Sequence, residues 1–170
     1  MYYEKRDFIS QDLAENLIEY YLNHNKSTFQ YRDTFPLNLM QSTNKLIVNL
    51  CGEMYSTAKK IAGDNLKIDN AEIVHWPKES FMKRHKDYKT DVLTSILYLN
   101  DNYIGGETML YQPSNTLVIK PEIGKIVYFP NAIVPHEVKK ITQGSRYTFA
   151  IWYNKITSNS NDVIYNWNNI

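Results

Sequence analysis

Two histidines and one aspartate in this 170-residue chain have the residue types and spacing to hold a metal ion. His85 and Asp87 are two residues apart in a segment expected to be a strand, so both side chains would leave one face with Cα atoms about 6.7 Å apart. His136 opens another expected strand. Two histidines and a carboxylate on one face of an octahedron leave three adjacent positions open on Fe(II). Taken alone, these residues equally allow an alternative in which the histidines are ordinary polar residues at strand ends.

Arg146 favours the metal site over that alternative. It opens the segment RYTFAIWY, where strand alternation puts four side chains on one face: Arg146, Thr148, Ala150 and Trp152. The small residues of this face leave room for a guest. An inward arginine needs an anion because an unpaired buried charge is costly, and a carboxylate matches the guanidinium fork. The alternative is a pairing with a carboxylate of the chain itself, such as Glu107 or Glu137.

Tyr98 is a further candidate for binding the same anion. In the segment VLTSILYLN, Val92, Thr94, Ile96 and Tyr98 share one face of the expected strand. The phenol of Tyr98 could therefore reach the guest beside Arg146. The alternative is simple packing, since the chain contains 14 tyrosines.

The elements that must position these residues follow from hydrophobic periodicity. Helical spacing predicts two helices, at 10–24 with Ser10 as N-cap and at about 42–61. From residue 66 the period changes to two. The predicted strands are 67–76, 81–87, 92–100, 107–111, 116–119, 125–129, 135–139 and 146–153. Eight short strands at this spacing predict a mainly β (α+β) fold, a sandwich or double-sheet jelly roll flanked by the two N-terminal helices.

Length and composition predict one domain without a nucleic-acid or membrane partner. We expect residues 1–65 to be helical support, 66–155 the jelly-roll core and 156–170 a polar tail. The net charge of +1 gives no general attraction to nucleic acid or membranes. The lone Cys51 excludes an internal disulfide and a thiolate metal cluster. With no apolar signal region and no membrane-spanning run, a cytoplasmic location is expected.

The first metal-ligand candidate lies in a basic stretch. Five cationic residues surround His85 in the sequence: Lys78, Lys83, Arg84, Lys86 and Lys89. Such a cluster could attract an acidic substrate. The alternative is an ordinary solvated surface.

Six segments, taken in order, resemble the 2-oxoglutarate- and Fe(II)-dependent dioxygenases, and within them the prolyl 4-hydroxylase-like branch. They are HKD (85–87), LTSILYLND (93–101), GGET (105–108), KPEIGKIVYFPN (120–131), PHEV (135–138) and GSRYTFAIWY (144–153). The resemblance covers about residues 73–153. It implies a double-stranded β-helix, which agrees with the jelly roll expected from the strand pattern.

The resemblance also implies roles for individual residues. The expected iron ligands are His85, Asp87 and His136. The expected cosubstrate residues, which would hold the distal carboxylate of 2-oxoglutarate, are Arg146 and Tyr98, with Thr148 beside them. The candidate substrate contacts are Trp152, Asp91 and Trp76. Fe(II), 2-oxoglutarate and O2 are the expected reagents, and ascorbate is expected as a further one.

The activity implied is hydroxylation of an aliphatic C–H bond, as in procollagen-proline dioxygenases, on a peptide, an amino-acid side chain or another small molecule. Two positions depart from the peptidyl prolyl hydroxylases: Asp91 stands where an arginine is common, and Met82 where a tyrosine is common. One alternative is oxidation of a nucleobase or nucleotide, which Trp152 disfavours because those enzymes usually carry a second arginine there. Two others are a non-catalytic metal-binding jelly roll and a zinc hydrolase with the same three ligands.

Overall fold

Two helices precede the main β region in the computed structural model, which describes residues 2–25 and 30–156. Helix α1 spans Gln11–His24 and helix α2 spans Lys45–Ala62. The Ser10 hydroxyl accepts a hydrogen bond from the Leu13 N–H, which confirms the predicted cap. The second helix begins later than predicted because Asn44 caps it. Neither helix within these residues combines the length and apolar character that crossing a membrane requires.

Twelve strands are present in the described residues. They are β1 (Tyr3–Lys5), β2 (Phe35–Asn38), β3 (Leu66–Trp76), β4 (Met82–His85), β5 (Asp91–Tyr98), β6 (Ile104–Gly105), β7 (Thr108–Tyr111), β8 (Thr116–Ile119), β9 (Ile126–Phe129), β10 (His136–Val138), β11 (Ile141–Gln143) and β12 (Arg146–Lys155). All eight predicted strands are found. The short strands β1, β2, β6 and β11 were not predicted.

Two antiparallel sheets carry the fold. The larger has the order β1-β9-β5-β12-β3-β2, and the smaller the order β4-β10-β7-β8. Strands β6 and β11 form a separate pair. The prediction of residues 1–65 as helical support is therefore incomplete, because β1 and β2 from this part of the chain form both edges of the larger sheet.

The main core lies between the helices and the outer face of the larger sheet. Phe149, Ile151 and Tyr153 of β12 are fully buried there with Leu17 of α1 and Met54 of α2. The remaining face of β12 points to the interior shared with the smaller sheet, and there lie Arg146, Thr148, Ala150 and Trp152.

The segment around Asp87 differs from the prediction. Strand β4 ends at His85, so strand alternation does not orient Asp87. Instead the Asp87 N–H donates to the Asn131 carbonyl at 3.2 Å, in the loop that follows β9. A contact between loops places the carboxylate that the strand pattern was expected to place.

The region after β12 was expected to be a polar tail. Of residues 156–170, only Ile156 belongs to the described part of the chain. Its N–H donates to the Asn65 carbonyl at 3.3 Å. The rest of that prediction lies outside the described residues.

Candidate metal centre and cosubstrate pocket

His85 and His136 meet as a cross-strand pair between β4 and β10. Their ring centroids are 4.3 Å apart. The Nε2 atoms lie 3.2 Å (His85) and 3.5 Å (His136) from Asp87 Oδ1. The candidate ligand atoms of all three residues lie within 4.8 Å of one another. The structure thus brings together the three residues expected to bind iron.

Backbone carbonyls fix both imidazole rings. His85 Nδ1 lies 2.8 Å from the Lys83 carbonyl, and His136 Nδ1 lies 3.1 Å from the Val134 carbonyl. A carbonyl can only accept, so each Nδ1 carries the proton in these bonds. Each Nε2 therefore faces Asp87 Oδ1 at the centre. In the neutral ring this nitrogen would offer its lone pair to a metal, an arrangement common among metal-binding histidines.

The side chains of Asn131 and Trp152 hold the Asp87 carboxylate in place. Its Oδ2 accepts hydrogen bonds from Asn131 Nδ2 at 2.8 Å and Trp152 Nε1 at 3.1 Å. Burial alone would raise the pKa of Asp87, but hydrogen bonds with His136, His85 and Asn131 outweigh it and lower the pKa. The carboxylate is therefore ionised, with Oδ1 turned to the histidines.

Sequence reasoning did not predict these roles of Asn131 and Trp152. Asn131 is fully buried, and the only sequence signal for it was its place at the end of the segment KPEIGKIVYFPN. Trp152 was expected at the substrate mouth. It is half-buried and orients Asp87, while its contact with a substrate stays a prediction.

The donor chemistry of this cluster fits Fe(II). Two neutral imidazole nitrogens and one carboxylate oxygen, all presented from one side, form the ligand set of non-haem Fe(II) oxygenases. Zn²⁺ accepts the same donors. The region around Arg146, on the same interior face, distinguishes an Fe(II) oxygenase from a zinc hydrolase.

Arg146 is a buried cation without a counter-charge among the residues that the structure describes. It is 1% exposed, and its Nη2 donates to Thr108 Oγ1 at 3.3 Å. Its Nε and Nη1 have no hydrogen-bond partner in the part of the chain that the structure describes. The alternative pairing with Glu107 or Glu137 is wrong: among these residues no carboxylate lies within 4.0 Å of the guanidinium, and Glu137 pairs with Lys139.

Aromatic and hydroxyl groups surround this guanidinium. Its Cζ lies 4.8 Å from the Trp76 ring centroid and 5.4 Å from that of Tyr98. The Tyr98 hydroxyl donates to Thr108 Oγ1 at 2.9 Å. Trp76 Nε1 and the Tyr103 hydroxyl are buried and have no partner among the described residues. The pocket thus presents unsatisfied N–H and O–H donors, which suits an incoming carboxylate.

Tyr103 is a pocket residue that the sequence analysis missed. Burial raises the pKa of both Tyr98 and Tyr103, so both phenols remain donors. Two glycines with positive φ admit the Tyr103 side chain. A Cβ on Gly106 (φ +70°) would lie 3.0 Å from its ring, and one on Gly144 (φ +77°) would lie 3.1 Å from its Cβ. The sequence signal for this contact was Gly106 in the segment GGET, which was cited above only for the family resemblance.

Three further candidates lie near these two groups. Thr148 is buried on β12 between Val74 and Tyr98 in the strand register. Trp76 lies against Arg146, so it borders the cosubstrate pocket. Asp91 is 4% exposed, and burial together with the negative charges of Asp69 and Asp87 raises its pKa to about 6. Contact of Trp76 or Asp91 with a substrate stays a prediction.

Comparison with known sequences also indicates an Fe(II) and 2-oxoglutarate site. Residues 71–154 match the family model described as 2OG-Fe(II) oxygenase superfamily. The chain is 33% identical over 97 residues to prolyl 3-hydroxylase 2 of Rattus norvegicus. This alignment covers 55% of the chain but only 13% of that relative's length.

Solved structures confirm the jelly-roll fold. A prolyl-4-hydroxylase of Pseudomonas putida superposes with a TM-score of 0.81, covering 92% of this chain and 93% of the other at 17% identity. A prolyl hydroxylase of Trichoplax adhaerens, solved with a fragment of the hypoxia inducible factor oxygen degradation domain, gives a TM-score of 0.74, covering 91% of this chain and 83% of the other at 17% identity. At such identities the likeness shows the fold. With the matched segment 71–154 containing His85, Asp87, His136 and Arg146, the chain belongs to the 2OG-Fe(II) oxygenase superfamily, whose members take Fe(II), 2-oxoglutarate and O2.

Proposed function

We propose that this chain is an Fe(II)- and 2-oxoglutarate-dependent dioxygenase that hydroxylates an aliphatic C–H bond of a prolyl or related residue in a peptide. One observation carries the proposal: a His-Asp-His cluster shares the interior of the sandwich with a buried arginine. Two N–H-bearing nitrogens of this arginine have no partner within the described part of the chain. A cation site and an anion site in one interior match a metal and a dicarboxylate cosubstrate.

The residues that would hold these groups follow from the contacts. His85 Nε2, Asp87 Oδ1 and His136 Nε2 would bind Fe(II). Arg146 would bind the distal carboxylate of 2-oxoglutarate. When bound, Fe(II) with 2-oxoglutarate would supply the chemistry that activates O2. The cosubstrate would lose CO2 and take up one oxygen atom to become succinate, and the other oxygen atom would enter the C–H bond.

The chain's own work is positioning and exclusion of water. Binding the cosubstrate at both ends fixes its orientation, which is the main contribution that a protein makes to such a reaction. Trp152 and Asn131 hold the Asp87 carboxylate so that Oδ1 faces the two histidines. Tyr98, Thr108 and Trp76 enclose the guanidinium and keep bulk water from it. No side chain is required as a general acid or base.

The relatives support a peptidyl substrate. Two proteins with similar folds are named prolyl hydroxylases, and the one from Trichoplax adhaerens is described in complex with a peptide fragment. The sequence relative from Rattus norvegicus is named a prolyl 3-hydroxylase. A cytoplasmic location and a use of ascorbate remain predictions, and no residue of the chain is assigned to ascorbate.

Anaerobic spectroscopy tests the cofactor assignment. Addition of Fe(II) and then 2-oxoglutarate should produce a visible metal-to-ligand charge-transfer band, because the keto acid chelates the metal. Folded, iron-loaded protein that gives no such band would contradict the proposal and favour a hydrolase or a binding module. Succinate release should then be screened with proline-containing peptides, free amino acids and nucleotides. Stimulation by nucleotides alone would reassign the substrate.

A further inference from the structure

A cleft lies between the edge strands of the two sheets. Strand β2 ends the larger sheet and β4 ends the smaller one. The turn at 31–34, which precedes β2, faces segment 81–85 across a cleft of about 360 Å³. We call this the β4 cleft. Its wall includes His85, so it opens directly beside a candidate iron ligand.

The charge of the β4 cleft is mainly positive. Arg32, Lys83 and Arg84 line it together with a single acid, Asp33. Within the described ranges no carboxylate lies within 4.0 Å of any of these three cations. The guanidinium of Arg84 lies instead over the Tyr111 ring, 4.0 Å from its centroid. The cations of the cleft therefore have no fixed counter-charge there.

Acids of the neighbouring segments are already engaged. Glu79 pairs with Lys140 at 2.5 Å, and Glu137 pairs with Lys139. The Asp87 carboxylate faces the two histidines, Asn131 and Trp152. None of these groups neutralises Arg32 or Lys83. An anion entering the cleft would meet positive charge on both walls.

The shape of the cleft suits an extended polypeptide. Strand β4 pairs with β10 on one side and has no strand partner on its other side in the described part of the chain. A free strand edge can hydrogen-bond an extended peptide, while the flanking side chains select among sequences. The volume falls within the range of about 300–1,000 Å³ typical of ligand clefts.

We propose that the β4 cleft binds an acidic segment of the polypeptide substrate and so brings the target residue to the metal centre at His85. The inference rests on the proposed function and adds the charge class of its substrate. A polypeptide is favoured over a nucleic acid because the chain has a net charge of only +1, whereas tight binding of nucleic acid requires neutralising many phosphates.

Binding without turnover tests this inference separately from catalysis. Two labelled peptides of equal length, one of Pro-Asp-Glu repeats and one of Pro-Asn-Gln repeats, are titrated with Mn(II)- and 2-oxoglutarate-loaded protein without oxygen and followed by fluorescence anisotropy. The acidic peptide should bind about tenfold more tightly at low salt, and this difference should shrink as salt screens the charges. Equal affinities would overturn the proposal even if hydroxylation is later confirmed.

Charge substitutions locate the effect. The double variant Arg32→Glu with Lys83→Glu should bind the acidic peptide about tenfold less tightly, yet keep its affinity for the amide peptide, which shows that it is folded. Asp33→Asn should bind the acidic peptide more tightly. Lys60→Glu, on the exposed side of α2, is the matched control and should change nothing.

Two outcomes would reject the β4 cleft as an acidic-peptide site. One is a double variant that binds the acidic peptide as the wild type does. The other is a single-stranded oligonucleotide that binds more tightly than the acidic peptide and loses this binding in the double variant. The second outcome would assign the cleft to nucleic acid.

Discussion

The two ends of the interior face differ in how their polar atoms are satisfied. At the metal end, each of His85, Asp87 and His136 is held by a hydrogen bond to a neighbouring group. At the cosubstrate end, the Arg146 guanidinium is buried, and two of its nitrogens have no hydrogen-bond partner in residues 2–25 and 30–156. The charges also differ: the Asp87 carboxylate carries the charge at the first end and the Arg146 guanidinium carries it at the second. One end is arranged to receive a cation and the other to receive an anion.

This difference indicates how each end is organised in the absence of its ligand. Hydrogen bonds fix the directions of the metal-end donors, so little rearrangement is needed on binding. Packing holds the arginine, through Trp76, Tyr98 and the tyrosine ring seated against Gly106. An unpaired buried charge costs stability until an anion arrives. Substitutions at the two ends should therefore have separable and partly opposite effects.

Loss of a metal ligand should give the largest effect. His136→Ala removes one of three donors and should lower iron affinity by more than about 100-fold, beyond the 10–100-fold typical of partners that only orient a ligand. Iron content after dialysis and the charge-transfer band measure this. His24→Ala, at the exposed end of α1, is the control. Normal iron loading of His136→Ala would mean that the metal lies elsewhere.

Neutralising the buried cation should affect the other end alone. Arg146→Met should weaken 2-oxoglutarate binding by about 100-fold, the scale of losing a buried charged pair, and leave iron affinity unchanged. In the absence of 2-oxoglutarate the same variant should be more stable than the wild type, because the uncompensated charge is gone. Thermal unfolding with and without 2-oxoglutarate measures both signs. Loss of iron instead would show that the two ends are not separate.

Removing a partner of Asp87 should have a smaller effect at the metal end. Asn131→Ala leaves all three ligands but releases one hydrogen bond to Asp87, so iron affinity should fall by about 10–100-fold. Trp152→Phe should act in the same direction. Metal titration of each variant checks this, with 2-oxoglutarate affinity at saturating iron as the control. Unchanged iron affinity in both would show that Asp87 is held by its backbone contact alone.

Asp91, a second buried carboxylate near the metal end, should make the stability of the protein depend on pH. Asp91 has an ordinary pKa of 3.8 and a folded pKa of about 6, raised by burial and by Asp69 and Asp87. Because the folded state holds this proton more tightly, the contribution of Asp91 to stability is present below about pH 4 and is lost as the pH rises to 6. For metal-free protein this loss should be about 2 kcal/mol relative to Asp91→Asn.

Urea unfolding at pH 4.5 and pH 7 measures this difference for the wild type and Asp91→Asn. The exposed Asp64→Asn serves as the control. Parallel behaviour of the wild type and Asp91→Asn across this range would show that Asp91 does not carry the pH dependence.

The smallest effect on ligand binding is expected from removing a single phenol hydroxyl at the cosubstrate end. Tyr103→Phe removes one hydroxyl beside Arg146 and should weaken 2-oxoglutarate binding by about fivefold, the net value of one hydrogen bond of roughly 1 kcal/mol. Tyr20→Phe, on α1, should have no effect on it. A ligand without the distal carboxylate, such as 2-oxobutyrate, should bind the wild type and Tyr103→Phe equally. A loss for both ligands would mean that Tyr103 acts through the fold.

The sequence predicted the residues that carry charge and the strands that alternate clearly. His85, Asp87, His136 and Arg146 follow from residue type, spacing and resemblance to a known family. Short edge strands escaped prediction because three or four residues, as in β1 and β2, show too little alternation to be recognised. The hydrogen bond from Asn131 to Asp87 and the packing of Tyr103 against Gly106 depend on contacts between distant segments, and hydrophobic periodicity does not predict such contacts.

The origin of the metal-end residues has a mechanical consequence. Both histidines project from the smaller sheet. The aspartate is instead held by Trp152 on β12 and by Asn131 in the loop after β9, and both of these strands belong to the larger sheet. A metal ion bound by His85, Asp87 and His136 would cross-link the two sheets of the sandwich. The catalytic metal would then also stabilise the packing of the two sheets against each other.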